Sequence, residues 1–325
     1  MTQTICGVDV SSRTLDARIG HTGPREHFAR TIDGVAALAG FCTQHGVELI
    51  VMEGSGGYEK LPFGLLDAEH RLPVAIVNPR AVRRFAEAMG VLEKTDRLDA
   101  GIIAWYAEVK QVKPTPLPSP MQDRLRALST RLRQLTKLRT TQTNQRRLLG
   151  KSEAGAGSDA VTAAEVVGLI DEVVALVNRQ IRSLEAKIAE LIESDPLWHA
   201  LDQTFREVKG VADRTVARLL AELPEIGTLS GKAIAKLAGL APIACDSGAS
   251  TGPRHIRAGR DGPREILFVV AELVSRHEPT FAAFRHKLRQ AGKPLKVIRV
   301  ALARKLLVVL NAKARDARRN FANAT

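Results

Sequence analysis

The chain has 325 residues, of which 45% are hydrophobic, which suits more than one packed domain and excludes a disordered protein. A formal net charge of +13, with a pI near 10.0, favours a polyanionic partner, nucleic acid ahead of an anionic membrane surface. No apolar run is long enough to span a bilayer, "MTQTICGVDV" lacks the features of a signal peptide, and Cys6, Cys42 and Cys245 lack metal or disulfide spacing, so a cytoplasmic protein without structural zinc is expected.

In chain order, "TICGVDV" reads as a buried strand ending near Asp9. "TLDARIG" and "EHFARTI" follow as antiparallel strands separated by turn residues. "GVAALAGFCTQHG" has helical periodicity and stops on Gly46. "VELIVMEGSGGYEK" is a β-branched run ending at Glu53, ahead of Gly54, Gly56 and Gly57. A helix over 59–70, the strand "LPVAIVNP", the helix "RAVRRFAEAMG" and the helix in "KTDRLDAGIIAWYAE" complete a β-β-β-α-β-α-β-α-α order. A meander followed by alternating units predicts a mixed sheet with helices packed on it.

The proline-rich stretch "KPTPLPSP", 113–120, reads as a linker. Residues 122–151 then form one long helix with Leu125, Leu128, Leu132, Leu135 and Leu138 as a narrow apolar seam. It carries nine basic residues, among them Arg131, Arg139, Arg146 and Arg147, against the single acid Asp123. That imbalance points to nucleic-acid contact rather than a mixed solvated face. A second long helix, about 160–194, has its own seam from Ile170 to Leu191, so the pair forms an antiparallel hairpin or an intermolecular coiled coil. Further on, "VKGVADRTVARLLAEL" resembles a helix-hairpin-helix element, whose turn at Lys209 and Gly210 would hold phosphate through backbone amides. The segment "CDSGASTGPRHIRAGRDGPR" is glycine-rich and basic, and helices over 263–277 and about 294–313 close the chain, the last with Lys305 among its cations.

Four acids carry the chemical reading. Asp9 lies in a strand that reads as central, Glu53 ends another, and Asp96 and Asp99 sit three apart at a helix start. Acids in a first helical turn are commonly matched to the macrodipole alone. A charge flanked by Val8 and Val10, however, needs a partner, and a cation supplies one. Carboxylates holding Mg²⁺, or Mn²⁺ in its place, serve phosphodiester displacement. Strand order and the Asp-Glu-Asp-Asp set together resemble the RNase H-like fold and, within it, the RuvC group. The second candidate centre is Ser247, surrounded in sequence by Arg254, Arg257, Arg260 and Arg264, with Cys245 and Ser250 as rival nucleophiles.

The motifs "GVDVSSRTLDARIG", "MEGSGGYE", "KTDRLDA", "LLAELPEIGTLSGKAIAKLAGLAP", "DSG" and "ARKLLVVLNA" resemble the DEDD transposases of the insertion sequence 110 family, to which pilin-gene invertases also belong. The resemblance implies an α/β RuvC-like domain over 1–112, a linker over 113–120, coiled-coil helices over 121–196 and a mainly helical C-terminal transposase domain over 197–325. It puts the family's acidic tetrad on Asp9, Glu53, Asp96 and Asp99 and its serine nucleophile on Ser247. It also implies donor and target double-stranded DNA, a structured noncoding bridge RNA as guide, and a homo-oligomer, dimer or tetramer, in which one protomer's acids meet another's serine. Ser12 and Ser55 stand where the family often has lysine and threonine. From the residues alone, a RuvC-type hydrolytic junction nuclease and a non-catalytic nucleic-acid binder remain open.

Overall fold

Burial of β1 (Ile5–Val10) on both faces, and of one face of β2 (Thr14–Ile19), sets the architecture of the N-terminal half. In β1, Cys6, Val8 and Val10 face one core; in β2, Leu15 and Ala17 face the same one, joined by Phe28 of β3 (Arg25–Ala29). This computed structural model describes residues 3–54, 56–91, 96–152, 158–247, 252 and 254–324. Two compact units divide it, Met1–Pro118 and Ser119–Thr325.

In the first unit, α1 (Ile32–Gln44) begins at Thr31, whose hydroxyl accepts the Gly34 amide at 3.1 Å. It is followed by β4 (Leu49–Glu53), α2 (Lys60–Ala68), β5 (Val74–Val77), α3 (Pro79–Ala88) and α4 (Asp96–Lys110). Asn78 caps α3, and Pro79 fits its first position because no amide is needed there. The five strands form one sheet in the order β3-β2-β1-β4-β5. The β1–β2 and β2–β3 pairs are antiparallel, while β1–β4 and β4–β5 are parallel. This is the mixed sheet of the RNase H-like fold, and β1 is central as its apolar flanks predict. Helices α1 and α2 cover one face. On the other, Ile5, Leu49, Val51, Ala75 and Val77 pack against α3 and α4. Cys6 and Cys42 meet in the first core, where a hydrogen bond between the thiols, together with burial, pushes the Cys6 pKa up.

One glycine decides how closely α4 sits on β1. A β-carbon on Gly7 would stand 2.0 Å from the Ala100 carbonyl oxygen and 2.7 Å from the Ala104 nitrogen. Both neighbours are backbone, so neither can rotate away. Gly7→Ala is therefore expected to destabilise this unit by about 3 kcal/mol, the upper end of ordinary overpacking. Urea unfolding followed through Trp105, in a Trp198→Phe background, measures it; an unchanged midpoint would refute the close contact.

The proline-rich stretch is tied to the sheet edge at Thr115. Its amide donates to the Val74 carbonyl at 2.8 Å, and its hydroxyl accepts from the Ile76 amide at 2.9 Å.

The second unit is helical. Helices α5 (Pro120–Ser152) and α6 (Ser158–Ser194) pack on one another. Arg146, late in α5, pairs with Asp171, early in α6, at 2.5 Å, so the two run antiparallel as a hairpin within the chain. Leu125, Leu132 and Leu135 are buried with Val177, Ile181 and Ile188, whereas Leu138 is exposed. Beyond them lie α7 (Pro196–Arg206), α8 (Asp213–Glu222), α9 (Gly231–Leu237), a small hairpin of β6 (Pro242–Ile243) and β7 (His255–Ile256), α10 (Asp261–His277), α11 (Pro279–Gln290) and α12 (Leu295–Ala324). Gln122 of α5 donates to the Leu220 and Ala221 carbonyls at the end of α8, at 3.0 and 3.2 Å. The base of the hairpin thus shares one core with the C-terminal helices, centred on Phe205, Leu219 and Leu302. No helix among the described residues is long and apolar enough to cross a membrane.

Candidate active-site residues in two units

Strand periodicity places the first acids. Ile5, Gly7 and Asp9 share the α4 face of β1, and Leu49, Val51 and Glu53 share the same face of β4. The parallel register runs from Ile5 opposite Leu49 to Val8 opposite Met52, so Asp9 and Glu53 occupy neighbouring strand ends. Asp99 lies in the first turn of α4, one residue before the Ala100 carbonyl that rests on Gly7. Asp9, Glu53 and Asp99 are all half-buried. Asp96 opens α4, but its carboxylate lies outside the described side chains, as Ser55 and Ser250 lie outside the described residues. Among the described residues, no group of three or more histidine, cysteine, aspartate or glutamate side chains is placed to hold a metal ion. Asp9 and Glu53, which the register brings side by side on this face, are both carboxylates, and oxygen donors are the kind that hard cations such as Mg²⁺ take.

Two further side chains escape sequence reasoning. Asp16 of β2 is directly opposite Asp9, and His27 of β3 is directly opposite Asp16. His27 Nδ1 lies 2.8 Å from Asp16 Oδ1. Two carboxylates opposed across strands repel one another, and the histidine gives Asp16 a polar partner. The signal was present in the alternation of "TLDARI" and "REHFA", but register between strands was needed to read it.

In the second unit, Ser247 is exposed in the connection between β6 and β7. Its neighbour Asp246 organises that connection: one carboxylate oxygen accepts the Gly252 amide at 3.1 Å and Arg254 Nη1 at 2.5 Å. A β-carbon on Gly252 would fall 2.2 Å from the Cys245 carbonyl, so the two arms approach closely there. Cys245 is an exposed free thiol.

The basic candidates divide by what they touch. Arg257 is exposed. Arg260 instead forms a bidentate pair with Glu225, both contacts 2.7 Å, and donates to the Glu222 carbonyl at 2.8 Å. Burial alone would raise the Glu225 pKa, but hydrogen bonds from Arg260 and from backbone hold it below the usual range. Arg264 binds Asp261 and the Ala258 carbonyl. Lys305 donates to the Thr280 carbonyl at 2.7 Å and lies over the Phe281 and Phe284 rings, at 4.7 and 4.9 Å. Beside the hairpin runs a groove of about 770 Å³, whose apolar floor includes Val300 and Val308 and whose rim includes Arg254, Lys296, Arg304 and Lys305.

Arg131, Arg146 and Arg147 are exposed on α5, and Arg139 is half-buried. At the helix-hairpin-helix turn, Gly210 has φ +100° and packs against Val274. The Lys209 amide donates to Glu278 Oε1 at 2.9 Å and the Val211 amide to the Val208 carbonyl at 3.0 Å. Those two amides are engaged within the protein, leaving the exposed Lys209 side chain as the outward donor.

Comparison with known proteins completes the picture. Residues 6–149 match a DEDD family model described as "Transposase", and residues 202–286 match one described as "Transposase IS116/IS110/IS902 family". The "Pilin gene-inverting protein" of Moraxella bovis is 28% identical over 330 aligned positions, covering 98% of each chain, and that of Moraxella lacunata matches equally. The "Insertion element IS110 uncharacterized 43.6 kDa protein" of Streptomyces coelicolor is 33% identical over 144 residues, 43% of this chain and 34% of that protein. Among solved structures, Thermus thermophilus RuvC is 14% identical with a TM-score of 0.26, covering 35% of this chain and 100% of that one. With two models of one family matched, the acids inside the first span and the serine inside the second, the chain belongs to the IS116/IS110/IS902 family of transposases.

Proposed function

We propose that this transposase cuts and rejoins DNA through a covalent phosphoserine link. Ser247 Oγ attacks the phosphorus of a phosphodiester, the P–O bond to the departing strand breaks, and that strand leaves as a hydroxyl after gaining a proton. The energy of the broken ester is kept in the serine ester, so rejoining needs no nucleotide cofactor. Asp9, Glu53, Asp96 and Asp99 would hold Mg²⁺, which, when bound, stabilises charge on phosphate oxygens and acidifies a coordinated hydroxyl. Arg254 and Arg257, which follow Ser247 immediately before and after β7, would hold the phosphate.

The observation that carries this reading is the register putting Asp9 beside Glu53 on the α4 face, in a chain that also exposes Ser247 in a basic hairpin. The acids and the serine belong to different compact units. In the proposed assembly, the acids of one protomer serve the serine of another. An exposed apolar seam on α6, Val166, Leu169, Val173 and Leu176, has the three-four spacing that a second helix could cover. The guide is proposed to be an element-encoded bridge RNA, with exposed α5 arginines as backbone contacts for RNA or DNA. The proposed compartment is the cytoplasm.

The test uses the full chain, with any copurified RNA retained and sequenced, on DNA carrying the ends of its own element. Reactions with Mg²⁺ are quenched in SDS. A denaturation-resistant protein–DNA adduct is expected, absent with EDTA. Nicked DNA without adduct would replace this reading with hydrolysis of the RuvC type, and neither product would replace it with a binding protein.

A further inference from the structure

The sheet face that carries Asp9 and Glu53 is only partly roofed. Helix α4 packs on β1 and β2, but on β3 this face stays open, with Arg25, His27 and Ala29 exposed. On the opposite face of β3, Phe28 is buried against the α1 core while Glu26 is exposed. The antiparallel register stacks Arg18 on Arg25 and Asp16 on His27, all on the open side. A concavity of about 430 Å³ is lined there by Asp16, Ala17, Arg18, Arg25, Glu26, His27 and, from the α4 side, Ala100. Arg18 is fixed in place: its Nε donates to the Gly23 carbonyl at 3.3 Å, and its side chain lies against Gly101 of α4. The row ends at Asp9, directly across from Asp16.

We propose that this shelf is a track for a phosphodiester backbone, with Arg18, Arg25 and His27 as phosphate contacts that deliver a nucleic-acid strand to the acids. Three side chains able to donate to phosphate share one concavity with two acidic residues; Asp16 is already engaged by His27, and Glu26, between Arg25 and His27 along the strand, alternates to the other face of β3. Guanidinium forks match phosphate oxygens. Charged residues on an edge strand also discourage stray strand pairing, but that role needs no common concavity and no clamped arginine. The track rests on the reading of Asp9 and Glu53 as the site of strand chemistry.

The test is binding of the full chain to fluorescein-labelled single strands of one sequence, as DNA and as RNA, over a salt series. The variant is Arg25→Gln with His27→Gln, two exposed positions where the amides keep hydrogen-bonding ability. Arg84→Gln, exposed on α3, is the control. The double variant is expected to bind several-fold more weakly, with the slope of log affinity against log salt reduced by about one for each phosphate no longer neutralised. Arg25→Lys alone is expected to keep most of the affinity. Weakening on DNA only assigns the track to the substrate strand, on RNA only to a guide strand, and on both to the shared backbone; each supports it. Unchanged affinity and slope on both probes, or an equal weakening in Arg84→Gln, overturns it. Cleavage by Asp9→Asn separates the premises. An active Asp9→Asn ends the acid-site reading, whereas an inactive one beside unchanged binding in the double variant ends the track alone.

Discussion

Replacing Ser247 by alanine is expected to abolish the protein–DNA adduct and to lower strand rejoining by roughly a thousandfold or more, the scale on which removing a nucleophile acts. The side chain is exposed, so its removal leaves no cavity, and the fold should melt as the wild type does. DNA binding should likewise persist, because Arg254 and Arg257 remain. Cys245→Ser removes the rival thiol two residues away and is expected to retain the adduct. An adduct that survives Ser247→Ala but disappears in Cys245→Ser would move the nucleophile to the cysteine. Rejoining at normal rate in Ser247→Ala would end covalent serine catalysis altogether.

Asp9→Asn carries the second large effect. The amide copies the shape of the carboxylate, so β1 and its packing on α4 should survive. What changes is the charge available to a cation at the centre of the sheet. Stabilisation of transition-state charge by a bound metal amounts to several kcal/mol. Each 1.36 kcal/mol is tenfold in rate, so a fall of at least roughly a hundredfold is expected. Adduct yield and strand cleavage should fall together, while affinity for DNA stays within about twofold. A variant that binds weakly and cuts at an undiminished rate per bound molecule would make Asp9 a binding residue instead.

Much of the first unit was legible because its code is local. Short apolar runs bounded by turn residues gave the strands, 3.6-residue periodicity gave the helices, and the β-β-β-α-β-α-β-α-α order is the one observed. Asp9 was identifiable as an acid in a central strand because Val8 and Val10 flank it. Its relation to Asp16 and His27 was not, since strand pairing is a property of two segments together. The basic residues show the same limit. Counting charges around Ser247 makes Arg254, Arg257, Arg260 and Arg264 equivalent, yet Arg260 is claimed by Glu225, thirty-five residues earlier. Lys305 is likewise drawn onto two phenylalanines of α11, a helix that periodicity missed and that Pro279 at its first position announces. The turn at Lys209 looked like a free phosphate cradle because its competitor, Glu278, is distant in sequence.

The missing methyl group at position 7 has a consequence for how this centre can change. Because α4 rests backbone to backbone on β1, the height of its first turn above the strand is set by main-chain radii rather than by the bulk of Ile102, Ile103 or Val82. Those apolar side chains are thereby released from any part in gauging the gap between acids. Related chains are free to exchange them, so long as the strand stays bare at that one spot.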